Sequence, residues 1–216
     1  MALWNNGKNE PKMHPDYPKD LPVGMRLGGL LTVEEAYWLL NDEEAASTHP
    51  GTNLSVKSLC KFGLFGIDIF RAYLDQTMDR FHQIHVDGEG NAMDGILFNL
   101  MDTIHPATED DWENWLTSLI GWRDITPPDG PTFLRDWKSE EEGHGEFAEP
   151  EDVDMMVFDD MDEPPKIVKT KCMLFSRGFG EDQWEYLLVT AILNGDDPRI
   201  QIHVGAPLPL DNLKYV

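Results

Sequence analysis

The last quarter of the chain constrains its fold more than any other part. Three segments, KIVKTKCMLFS (166–176), WEYLLVTAIL (184–193) and RIQIHVG (199–205), are separated by the turn-forming stretches 177–182 and 194–198. The second turn opens with Asn194-Gly195, the strongest short hairpin signal, because these residues tolerate the positive φ of a tight primed turn. Three consecutive antiparallel strands are predicted. The middle strand is apolar on both faces and so should be central. In the third, Ile200, Ile202 and Val204 should point inward and Gln201 and His203 outward.

Earlier segments extend the pattern. IFRAYLD and RFHQIHV flank the short 76–79 connection and read as a β-hairpin. The turn DGEGN (87–91) leads into ILFNLMDTI, a further strand, and FLRDWK is a short one. Two helices are expected. In LTVEEAYWLL, Thr32 is a good N-cap and Glu35 completes a capping box, with Val33, Ala36, Tyr37 and Leu40 on one face. The second starts at Thr108, carries Glu109, Asp110 and Asp111 in its first turn, and presents Trp112, Trp115, Leu116, Leu119 and Ile120 as an apolar stripe ended by Gly121. The expected fold is α+β: a mainly antiparallel sheet, open to being curled or barrel-like, with about two helices packed on it. Residues 1–20, with Pro11, Pro15 and Pro18, read as an extended polar arm; 21–216 form one domain with an acidic loop at about 139–165.

Charge excludes several functions. Forty acidic residues against 17 basic ones give a net charge of -23. Such a field repels phosphate backbones and anionic membrane surfaces, so no nucleic-acid partner is expected. The stretch EEEGHGEFAEPEDVDMMVFDDMDE (140–163) holds twelve carboxylates and no lysine or arginine. Its acids, notably Glu140, Glu141, Glu142, Asp152, Asp154, Asp159 and Asp160, are candidates for meeting a basic protein surface. Calcium loops alternate carboxylates and place a glycine at the sharp turn, whereas Asp152 and Asp154 are followed by Met155, Met156 and Val157. No metal site is assigned, although weak divalent-cation binding stays open beside the plain reading of an exposed loop carrying the short strand MMVF. Cys60 and Cys172 read as reduced, buried thiols in a cytoplasmic protein, and no apolar run is long enough to span a bilayer.

Catalytic patterns are missing. His82 and His85 are three residues apart on a strand and so point to opposite faces, which prevents their binding one metal. Ser176 lacks the glycine two positions before it that a nucleophile elbow needs, and GLFG and RLGGL lack dinucleotide-binding spacing. No catalytic residue and no cofactor is assigned. If the protein instead has a ligand pocket at the sheet edge, Arg71, His85, Arg177 and His203 are the polar residues that would line it.

Taken together, LPVGMRLGGLLTVEEA, IFRAYLD, RFHQIHVDGEGN, TIHPATEDDWENWL, MLFSRGFGEDQWEYLLVTAIL and IHVGAPLPLDNLKYV resemble the YjfK-like family of bacterial proteins, from about Leu21 to Val216. That family is known chiefly as a domain of unknown function. The resemblance implies a bacterial, soluble, single-domain protein. It further implies an accessory, non-enzymatic role beside a PspA-like membrane-stress protein at the cytoplasmic face of the inner membrane. Relatives often begin with a basic or amphipathic stretch, where this chain has a proline-rich arm.

Overall fold

Strands with two apolar faces need two cores, and closing the sheet into a barrel provides them. The computed structural model describes residues 13–34, 51, 53–128, 130–139, 141–179, 183–194 and 197–216. In chain order the strands are β1 (Leu30–Val33), β2 (Leu54–Ser55), β3 (Ser58–Leu64), β4 (Ile67–Tyr73), β5 (Arg80–Val86) and β6 (Ala92–Ile104). Helix α1 (Glu109–Asn114) follows and runs into a π-helical turn, Trp115–Leu119. Then come β7 (Asp124–Ile125), β8 (Phe133–Arg135), β9 (Glu151–Phe158), β10 (Lys166–Phe179), β11 (Gln183–Ile192), β12 (Arg199–Pro207) and β13 (Leu213–Tyr215). Eight strands, in the order β3-β4-β5-β6-β12-β11-β10-β9, form a closed antiparallel ring, with β9 returning to pair with β3.

The fold is therefore mostly β, with one short helix among the described residues, and not the expected α+β sheet with two packed helices. The start expected for the first helix lies in a strand instead. Thr32 and Val33 belong to β1, where Leu31 and Val33 alternate inward and pair with β13 and β2. The Thr32 hydroxyl donates to Asn53 Oδ1 at 3.2 Å, across the small sheet. Ala36, Tyr37 and Leu40 lie outside the described residues. The second helix start is as expected: the Asp111 amide donates to Thr108 Oγ1 and the Thr108 amide donates to Asp111 Oδ2, both at 3.1 Å. Gly121 ends this segment for a steric reason, since a Cβ there would lie 2.0 Å from the Ala148 carbonyl oxygen.

Two layers cover the barrel. On one side the sheet β13-β1-β2 lays Leu31, Val33 and Tyr215 over outward-facing Leu59, Phe70, Ile84 and Leu97. On the other, Ile120 and Phe133 cover Phe175, Leu187, Val189, Ile200, Ile202 and Val204. The direction expected for β12 is thus reversed. Its aliphatic residues face the outer layer, while Gln201 and His203 are buried within the barrel. The hairpin β4–β5 and the succession β10–β11–β12 pair as the sequence indicates.

Candidate ligand site inside the barrel

An eight-stranded barrel has an interior just wide enough for side chains to fill it or for one small ligand. Most of this interior is filled with apolar groups. Cys60, Phe62, Ile69, Phe81, Phe98, Val153, Met155 and Leu188 pack together. Among them lies Arg71, on the inward face of β4 and only 3% exposed. A guanidinium stays charged in any protein environment, and burying an uncompensated ion costs on the order of several kcal/mol.

Partial compensation comes from the aromatic rings and one amide. The Arg71 guanidinium carbon lies 4.6 Å from the Phe81 ring centroid and 4.8 Å from that of Phe62, within cation–π range. Its Nε donates to Gln83 Oε1 at 2.8 Å, and Nη1 approaches the Met155 sulfur, a weak acceptor, at 3.4 Å. Among the described residues no carboxylate pairs with it.

Gln83 links Arg71 to one mouth of the barrel. Its amide nitrogen lies 2.8 Å from His85 Nε2, and His85 Nδ1 lies 2.7 Å from Asp94 Oδ1. These partners fix the protons. Because the Gln83 oxygen accepts from Arg71, its nitrogen donates to His85 Nε2, and the Nδ1–H of His85 donates to Asp94 Oδ1. A hydrogen-bonded chain Asp94–His85–Gln83–Arg71 thus runs from an exposed carboxylate to the buried cation.

Beyond Arg71, toward the opposite mouth, lies a largely enclosed cavity of about 40 Å³. Arg71, Tyr73, Thr190, Arg199, Gln201 and His203 supply the polar part of its wall, apolar residues such as Phe81 and Val157 the rest, and no acidic side chain among the described residues lines it. Met78 lies at the same mouth with φ +63°, a left-handed conformation uncommon for a residue with a Cβ. His203 is 3% exposed, its ring stands edge-on to Phe81 at 5.0 Å, and among the described residues its ring nitrogens meet no side-chain partner, only the Met78 backbone. Burial, and then the Arg71 charge, hold its pKa down to about 3 against a smaller contribution from the Met78 backbone, so the ring is neutral.

Three of the four residues suggested for a pocket, Arg71, His85 and His203, thus face the barrel interior. Arg177 does not. It lies on the outer side, where Nη2 bonds Glu185 Oε2 at 2.6 Å and the guanidinium stacks on Phe133. His82 and His85 do point to opposite faces. His82 is fully buried beneath β13, with Nδ1 2.8 Å from the Tyr215 hydroxyl, and burial lowers its pKa to about 3. Cys60 and Cys172 are free, buried thiols whose pKa values burial pushes up to about 12. Sequence reasoning missed Tyr73, Gln83, Thr190 and Gln201. Alternation was the one signal for three of them: Tyr73 lies two positions from Arg71, Gln83 two from His85 and Gln201 two from His203, whereas Thr190 joins them only through its register with Gln201.

The acidic stretch carries a longer strand than MMVF. β9 spans eight residues of the barrel wall, turning Val153, Met155 and Val157 inward and Asp152 and Asp154 outward. Lys171 pairs with Asp152 at 3.0 Å, Lys166 with Asp159, and Lys169 stands opposite Asp154 in the β9–β10 register. Glu141, Glu142 and Asp160 are exposed, and Glu140 lies outside the described residues. Among the described residues no three His, Cys, Asp or Glu side chains gather to hold a metal ion, and no helix is long and apolar enough to cross a membrane.

A closed antiparallel barrel with a charged, partly hollow interior falls in the architectural class that encloses side chains or one small ligand. Within that class the chain belongs to the family described as "Protein of unknown function (DUF2491)", whose model matches residues 4–214. No curated protein and no solved structure matches the chain.

Proposed function

We propose that the protein is a binding protein without catalytic activity, and that it holds a small polar ligand inside the barrel at Arg71. The observation that carries this reading is a buried guanidinium without a carboxylate partner, beside a mixed polar and apolar cavity that no acid lines among the described residues. No nucleophile with an adjacent base accompanies it, which favours binding over covalent chemistry.

A second reading is a cytoplasmic, YjfK-like accessory protein that meets a basic or PspA-like partner through Glu141, Glu142, Asp152, Asp154, Asp159 and Asp160. The exposure of these acids supports it. The lysines already paired with Asp152 and Asp159 reduce the charge left for a partner.

Amide NMR of the full chain, titrated with the small-molecule fraction of a bacterial extract, separates the two. Interior binding predicts shifts concentrated on Arg71, Thr190, Gln201 and His203. The same spectra with no interior shifts would overturn the primary reading, and shifts along Asp152–Asp160 on adding a basic protein would favour the second.

A further inference from the structure

The interior reading can be taken to a ligand class, and this step rests on it. We infer that the cavity beside Arg71 binds a small, planar, singly charged oxyanion with the chemistry shared by formate, nitrate and bicarbonate.

Charge sets the sign of the ligand. In a chain with 40 acidic and 17 basic residues, two arginines and, among the described residues, no carboxylate line this cavity. Arg199 is paired near the surface with Asp197 at 3.2 Å, whereas Arg71 has only Gln83, Met155 and its aromatic and phenolic neighbours. A buried cation is stabilised most by an anion that shares its dry surroundings.

Size sets the upper limit. A cavity of about 40 Å³ is roughly three times the minimum needed to hold one water, which admits about three or four heavy atoms and excludes a longer tail. Shape follows from the faces of the guanidinium. Phe62 and Phe81 stand over it, so a ligand approaches along its N–H edge, where planar oxyanions bind with two parallel hydrogen bonds. His203 then acquires a role. Its ring, 3% exposed and without a side-chain partner among the described residues, lies on the cavity wall, where the one N–H of the neutral ring can turn from the Met78 backbone to the ligand's outer oxygen. The acidic exterior slows anion entry without weakening the buried contacts, because salt screens the surface field over about 8 Å at physiological ionic strength.

The test is thermal melting of the full chain in sodium gluconate at constant ionic strength, with gluconate replaced stepwise by formate, nitrate, bicarbonate, butyrate or sulfate. Formate, nitrate and bicarbonate should each give a saturable rise in Tm of about 5–10 °C at a hundredfold excess over Kd. Butyrate and sulfate should give none. Arg71→Met should abolish the rise. Thr190→Val, which keeps the cavity's shape and every charge, should fold normally and weaken the response about tenfold. Equal melting in all salts would overturn the inference while leaving the interior reading intact if extract-induced NMR shifts persist. A rise retained in Arg71→Met, or one that climbs without saturating, would mark a general salt effect and also overturn it.

Discussion

Two buried arginines of this molecule make opposite use of the same side chain. Arg135, on β8 and 4% exposed, spends its donors on backbone carbonyls: Gly121 and Gly145 at 2.6 Å, Lys138 at 2.8 Å and Glu146 at 3.3 Å. It thereby ties the helix end and the start of the acidic stretch to the barrel wall. Arg71, 3% exposed, has one amide oxygen, a thioether, a phenol and two ring faces. The difference teaches that burial alone does not mark a site. A cation whose donors meet backbone oxygens is a fastener, and one left in sparse company beside a cavity is a receptor.

Breaking the fastener should have the largest effect. Arg135→Met leaves four carbonyl oxygens to find other partners, and stability should fall by about 3–5 kcal/mol in urea unfolding. A loss below about 1 kcal/mol would erase the contrast.

Acid should come next. His82 and His203 are neutral in the fold, with pKa values lowered to about 3. A base whose folded pKa lies below its unfolded value binds fewer protons when folded. Its contribution is therefore fully present above pH ~6.5 and is lost as pH falls from there toward 3. At pH 5 each histidine should cost about 2 kcal/mol relative to pH 7, with His82→Gln and His203→Gln each removing its own share of the slope. Arg71→Met should raise the His203 pKa, seen by NMR, and leave that of His82 where it was, because only His203 feels the Arg71 charge.

The receptor should be cheaper to remove than the fastener. In gluconate, Arg71→Met should change stability by less than about 1.5 kcal/mol in either direction, since an apolar side chain of similar length relieves the cost of burying the ion. The smallest effect belongs to the surface. Asp152→Asn, which breaks the pair with Lys171, should cost no more than about 0.5 kcal/mol.

Much of this was legible in the sequence, and the rest was hidden for physical reasons. Thr108 and the acids Glu109, Asp110 and Asp111 announced their helix because a cap and a charged first turn are local features written in adjacent residues, and the structure adds that Asp111 completes a capping box. The hairpin β4–β5 and the antiparallel run β10–β12 followed from alternation and turn chemistry. Closure did not, because a strand of a flat sheet and a strand of a barrel share the same period of two. For that reason His203 looked solvated. It alternates with Ile202 and Val204, whose apolar face suggested a single core, but both faces of β12 are buried. The apolar character of β11 on both faces was the one available hint, seen in Leu187 and Val189 on one side and Leu188 on the other. Arg71 and His85 were named as residues that a pocket would use, yet their linkage through Gln83 to Asp94 depends on two strand registers, which no local pattern encodes. Thr32 misled because a good cap residue is also β-branched and equally at home in β1.

The most direct measurement is anomalous diffraction from a crystal of the full chain soaked in sodium bromide, a heavy stand-in for a small monovalent anion. The account predicts one strong anomalous peak inside the barrel, within hydrogen-bonding reach of the Arg71 guanidinium and facing His203. A barrel interior with no anomalous peak, and bromide found only on the surface, would contradict it.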